Sequence, residues 1–160
     1  MASTFGELSK SLRGVAAAIP EGANRIKQQV ARAINISLLE NTPVDTGLAV
    51  SNWQVQLDEG ASEQRDAFVP SPSGYMKGKH GSRVWTHQAD TEATRQANIA
   101  PATELANVTI ASAQPGQPIH ITNVVEYINA LDEGHSAQAE LFVDKAFIFA
   151  QDTLASAKLL

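Results

Sequence analysis

The sequence predicts an α+β fold, a small twisted antiparallel sheet packed by a long N-terminal helix and a C-terminal helix. Three observations carry that expectation. Ile26, Val30, Ile34 and Leu38 recur four apart, the spacing of one helix face. After Pro43 the period falls to two, with Trp53, Val55 and Leu57 alternating with Asn52, Gln54, Gln56 and Asp58. A second short alternation, Ile119 and Ile121, returns late in the chain as a partner for the first.

Taken in order, Phe5, Leu8, Leu12 and Val15 predict a first helix behind Ser3 or Thr4, interrupted by Pro20 and Gly22. A second helix starts near Ala23 and ends at Asn41-Thr42-Pro43, because the residue before proline is pushed out of the helical region. The Trp53 strand follows and closes at Gly60. From Ala61 to about Asp90 the texture is polar and broken by Pro70, Pro72, Gly74, Gly78 and Gly81. A segment of that length is too long to be left structureless in a compact domain. It therefore holds a short strand pair, with Ala67 to Val69 and Arg83 to Trp85 as candidates, or forms an arm ordered against a neighbour. Asp90 to Ala113 is alanine-rich and helix-prone, with Pro101 as a break or first turn. Gln114-Pro115-Gly116-Gln117 is a turn into the Ile119 strand, and Tyr127, Ile128 and Leu131 predict a short helix stopping at Gly134. Ala139 to Leu160 places Leu141, Val143, Ala146, Phe147, Ala150 and Leu154 in a last helical stripe.

The chain has 160 residues, 43% of them hydrophobic, which suits one domain spanning its length. Twelve basic against 17 acidic residues leave a net charge of -5, the wrong sign for gripping phosphates with a basic face. With no cysteine, disulfides, zinc-thiolate sites and a cysteine nucleophile are excluded. No run approaches the roughly 20 apolar residues of a membrane span. The N-terminus lacks the basic start and apolar run of a signal peptide, so a soluble protein made in the cytosol is expected.

Three constellations invite chemistry. Thr42-Pro43-Val44-Asp45-Thr46-Gly47 contains the Asp-Thr-Gly of retroviral-type aspartic proteases, which need two such carboxylates and hence a symmetric dimer. That motif follows a buried strand in the proteases and a proline-terminated helix here, so a turn between helix and strand is the better reading. Asp132 or Glu133 with His135-Ser136 suggests a hydrolase triad, but residues adjacent in sequence rarely form the required relay. Lys77, Lys79 and Arg83, with Tyr75 and Trp85, form the one basic and aromatic cluster, able to touch phosphate or stack on a base as an accessory nucleic-acid module. His80, His87, His120 and His135 are too scattered for a metal, so neither metal nor cofactor is expected.

The two blocks also occur in a characteristic order. A long amphipathic helix leads to Thr42, Pro43, Asp45, Thr46 and Gly47, then to Asn52-Trp53; much later come Asn123, Tyr127, Leu131, Gly134, Ser136 and a terminal helix. This order resembles the tail-completion and neck (head-tail joining) proteins of long-tailed bacteriophages, in the superfamily of minor tail and tail-terminator-like components. The blocks and their flanking helices cover most of the chain, while Ala61 to Asn107 matches loosely. Two departures are the Ala137-Gln138-Ala139 that follows Ser136, where the family often turns through Ala-Pro, and Val125-Glu126, where a proline is common.

The resemblance implies a non-enzymatic subunit that assembles with itself as a ring, a hexamer in preference to a dodecamer. The ring sits in the neck of the virion, assembled in the host cytoplasm. Its neighbours are head connector or stopper proteins and the tail terminator or tail tube. Genomic DNA passes through the lumen without sequence-specific binding, and no membrane is involved. An acidic subunit suits such a channel, since negative walls do not grip phosphates. Tyr75, Lys77, Lys79, Arg83 and Trp85 then belong to an arm that reaches a neighbouring subunit.

Overall fold

The computed structural model describes residues 3–44, 46–70, 75–77, 83–85, 91–134 and 141–158. It is an α+β fold in which α1 (Ser3–Asn41) is by far the longest element, 39 residues and therefore about 58 Å at 1.5 Å per residue. The two helices expected at the N-terminus are one. Pro20 lies inside α1, where it removes one N–H and leaves the carbonyl of Ala16 without its helical partner. Ala16 is exposed, so water can take that carbonyl, and the alanines before Pro20 favour helix on their own account.

α1 ends where the sequence says it must. Thr42 donates from both its amide and its hydroxyl to the Leu38 carbonyl, at 3.0 and 2.6 Å, and Asn41 Nδ2 donates to Ser37 O at 2.8 Å. Arg95 adds a guanidinium bond to the Glu40 carbonyl, satisfying another of the terminal acceptors. After Gly47 comes a single helical turn, α2 (Leu48–Ser51), which the alternation at Trp53 did not reveal.

Strand β1 (Gln54–Leu57) starts one residue after Trp53 and pairs antiparallel with β4 (Ile119–Thr122). The register sets Val55 opposite Ile121 and Leu57 opposite Ile119. A separate hairpin joins β2 (Tyr75–Lys77) to β3 (Arg83–Trp85), with Tyr75 opposite Trp85 and Lys77 opposite Arg83. Ala67 to Val69, the expected partner of Arg83 to Trp85, is not a strand; its backbone is held by side chains instead, as set out below. Helix α3 (Thr91–Ser112) runs unbroken through Pro101, and the Gln114–Gln117 turn closes with a 3.1 Å backbone bond.

Helix α4 (Ile128–Asp132) is followed by Gly134 at φ 86°, the left-handed position that glycine fills at helix ends. Asp132 then serves α5 (Phe142–Ser156): its carbonyl accepts the Leu141 amide at 2.8 Å, and its carboxylate accepts Val143 N at 3.0 Å. A carboxylate there complements the positive end of the helix.

The core is built around Leu38, Leu39, Val44, Val50, Trp53, Ala102, Phe142 and Ala146. Trp53 meets Phe142 edge-on, ring centroids 6.1 Å apart. A second cluster, Ala31, Ala106 and Ile110, packs under Val55, Ile119 and Ile121 of the sheet. The α5 stripe is displaced from the expected one. Phe142, Ala146 and Ala150 face inward, while Val143, Phe147 and Leu154 are exposed. The alanines allow α5 to lie close along α1, with which it makes its main contacts. No helix among the described residues is long and apolar enough to cross a membrane.

The displacement predicts an asymmetry. Phe142→Ala empties a fully buried site and is expected to cost about 3–5 kcal/mol in denaturant unfolding. Phe147→Ala, at a side chain 66% exposed, is expected to change stability by less than about 0.5 kcal/mol.

Candidate functional site

The polar residues around the Thr42–Gly47 string form a buried network that ties the chain to itself between residues 42 and 98. Trp53 Nε1 donates to Thr42 Oγ1 at 2.7 Å, and that hydroxyl in turn donates a hydrogen bond to Leu38 O. The pair locks the end of α1 to the start of β1 inside the core, where an unpaired indole N–H would be costly.

Asn52 works outward. Its Nδ2 donates to Leu48 O and Arg65 O at 2.8 and 2.9 Å, while its Oδ1 accepts Arg65 N at 2.9 Å. The reciprocal pair to Arg65 reproduces what an adjacent strand residue would offer. Gln54 Nε2 donates to Glu63 O at 2.8 Å and Gln54 Oε1 accepts from Arg65 Nη2 at 2.7 Å. Thr122 Oγ1 accepts Ala61 N at 3.0 Å. Partial burial lowers the Arg65 guanidinium pKa through desolvation, and the group lies over the Phe68 ring at 5.5 Å.

Asn98, reaching from α3, closes the other end. Its Oδ1 accepts Val69 N at 2.9 Å and the Ser51 hydroxyl at 2.7 Å; its Nδ2 donates to Val69 O and Thr94 O at 2.8 and 2.7 Å. Ser51 Oγ in turn accepts Phe68 N at 3.1 Å. Side chains thus take backbone groups of residues 61, 63, 65, 68 and 69, so Phe68 and Val69 bond to side chains instead of a strand partner. Asn98 also joins Val69, just before the 71–90 segment, to α3, just after it.

Gly47 is fitted to this clamp. It sits at φ 82°, and a Cβ there would lie 2.6 Å from Asn98 Nδ2 and 3.0 Å from Val69 O. Both the backbone angle and the space require glycine. Pro43 is buried beside it, and Thr46 is exposed with Oγ1 accepting Leu48 N at 3.4 Å. From the later block, Asn123 Nδ2 donates to Ala49 O at 2.8 Å, and its Oδ1 accepts Val125 N at 3.1 Å, binding α2 to the strand end. Leu131 packs on the main core, and Tyr127 is exposed at the head of α4. Asp45, Lys79, His135 and Ser136 lie outside the described residues.

The chemistry available here is positional. The amides of Asn52, Gln54 and Asn98 are bonded to backbone groups or to other clamp side chains, and the Ser51 hydroxyl faces an amide oxygen rather than a base. Thr46 and Gly47 are flanked by α1 and α2, not by a buried strand. Among the described residues, no group of three His, Cys, Asp or Glu could hold a metal ion. The hairpin register sets two basic residues, Lys77 and Arg83, directly opposite each other. Asn52 and Asn123 stand in both the sequence reading and the clamp; Ser51, Arg65 and Asn98 appear only in the structure.

Asn98→Ala is expected to leave the Val69 amide and carbonyl without their side-chain partner and the Ser51 hydroxyl without its acceptor, at about 2–3 kcal/mol in unfolding experiments, and to speed hydrogen exchange at Val69 while leaving the β1–β4 amides protected. Unchanged exchange at Val69 would contradict the clamp. No family model, curated protein or solved structure matches this chain.

Proposed function

We propose that the chain is a structural subunit of a bacteriophage neck, forming a ring that joins the head connector to the tail and lines the passage for DNA. The observation that carries this reading is the outer face of the fold. Phe147, Ile148 and Phe149 on α5 and Leu105 and Val108 on α3 are exposed, although the same helices bury complementary stripes inward. Apolar surface of this extent on a well-packed core marks faces that another protein covers.

Three further features support it. The ordered blocks that resemble neck and tail-completion proteins, Thr42 to Trp53 and Asn123 onward, make up the internal framework rather than a reaction centre. The net charge of -5 suits a wall along which DNA slides without being held. The clamp gives the 71–90 arm a fixed root, and the opposed Lys77 and Arg83 positions fit an acidic neighbour, since like charges across a strand pair repel unless countered. On this reading the ring is hexameric, its neighbours are connector or stopper proteins above and the tail terminator or tube below, and it resides in the virion.

Imaging the virion and the purified protein by electron microscopy tests the proposal. A ring of this subunit in the neck is expected, with six copies rather than twelve. Its absence from purified particles would overturn the assignment. Deleting Ser71 to Ser82 spares every residue of the clamp, so the protomer is expected to fold with unchanged cooperativity while ring assembly or head-tail joining is lost. Normal rings from the deleted protein would remove the arm from the account.

A further inference from the structure

We infer that Arg65 is the anchor of a carboxylate-binding site, held ready by the buried amides of Asn52 and Gln54. Three bonds from these two side chains converge on the one residue. Asn52, fully buried, brackets the Arg65 backbone, accepting its N–H and donating to its carbonyl, both at 2.9 Å. Gln54 Oε1 accepts from the guanidinium Nη2 at 2.7 Å, and the Phe68 ring lies beneath the head group at 5.5 Å. Backbone and head group are both fixed, so a ligand does not have to order a rotamer-rich side chain when it binds.

The charge on this group has no counterpart in the fold. Gln54 and Phe68 are neutral, and among the described residues the ion pair present is that of Arg95 with Glu92. One of the five guanidinium N–H donors is bonded within the chain. The side-chain polar atoms that are sealed from solvent without a partner belong to Asn24, Asn35, Arg95 and Thr103, so the rest of the Arg65 fork is open. Desolvation lowers its pKa, the direction expected of a cation in a neutral cradle with no anion facing it. A planar fork of N–H groups matches an oxyanion with two oxygens to offer, a carboxylate or a phosphate. The flanking sequence chooses between them. Asp58, Glu59, Glu63 and Asp66 are all exposed beside it in the chain, and their repulsion grows with the charge of the ligand. A singly charged carboxylate is therefore favoured over a phosphate that carries more. The site does not depend on the ring reading above.

The test adds sodium acetate to the full chain and follows the Arg65 Nε–H signal by NMR, with sodium chloride at equal ionic strength as reference. Saturable shifts beyond those of chloride are expected, with weaker binding of inorganic phosphate. Arg65→Lys keeps the charge and loses the fork; it is expected to weaken acetate binding about tenfold, the worth of one charge-assisted bond. The Asn52 side-chain signals report whether the cradle survives that change. Glu63→Gln with Asp66→Asn, at exposed side chains, is expected to strengthen acetate binding and gives a second reading that leaves Arg65 in place. Glutamate blocked at both ends is the other probe: binding tighter than acetate supports the site and names a partner's side chain as the source, and equal binding supports it with a small carboxylate as the source. Acetate shifts equal to those of chloride, or acetate binding undiminished in Arg65→Lys, would overturn the site. Phosphate binding tighter than acetate would overturn the carboxylate.

Discussion

The side-chain amides of Asn52 and Asn98 hold residues 61–69 where a third strand would otherwise run, and the fold is organised around that substitution. Among the described residues the main sheet consists of β1 and β4. The stretch alongside β1 is pinned by Asn52, Gln54 and Thr122 rather than by a ladder of backbone bonds. Buried amides of this kind are tolerated because both ends of each are paired; the same residues with one bond missing would weaken the core. The requirement spreads outward. Gly47 must be glycine to pass Asn98, α2 must turn there to present Ser51, and Thr42 must end α1 with a hydroxyl ready for Trp53. The Thr-Pro-x-x-Thr-Gly string is therefore a fitted corner, which accounts for its enzyme-like look without an enzyme's geometry in the residues described around it.

Much of this was legible from residue order. The four-residue spacing of Ile26 to Leu38, the proline stop at 43, the alternation at Val55 and Ile121, and the glycine at 134 each express a local rule, and each element is present. The misreadings have physical causes. Pro20 reads as a break, yet on an exposed helix it costs one bond that water replaces. Val143, Phe147 and Leu154 read as a core stripe because an exposed apolar stripe and a core stripe share one period. The clamp was largely hidden, since Ser51 and Asn98 are 47 residues apart and amide pairing has no periodicity. One trace of it was readable: Thr94, Asn98, Ala102, Ala106 and Ile110 follow the four-residue step of a buried helix face, and a buried asparagine on such a face must find partners.

The same economy bears on function. The core is small and tightly committed, and the clamp ties Val69 to α3 through Asn98. What remains outward is apolar helix surface on α3 and α5, and the exposed Leu12, Val15 and Ile19 of α1. On the proposed reading, a neck ring would cover that surface.

Side-chain footprinting with hydroxyl radicals, comparing dispersed protomer with assembled particle, tests the central claim most directly. Phe147, Phe149 and Leu12 are expected to label strongly in the protomer and to lose labelling in the particle, while Trp53 and Phe142 stay protected in both. Equal labelling of Phe147, Phe149 and Leu12 in the two states would contradict the claim that these faces exist to be covered.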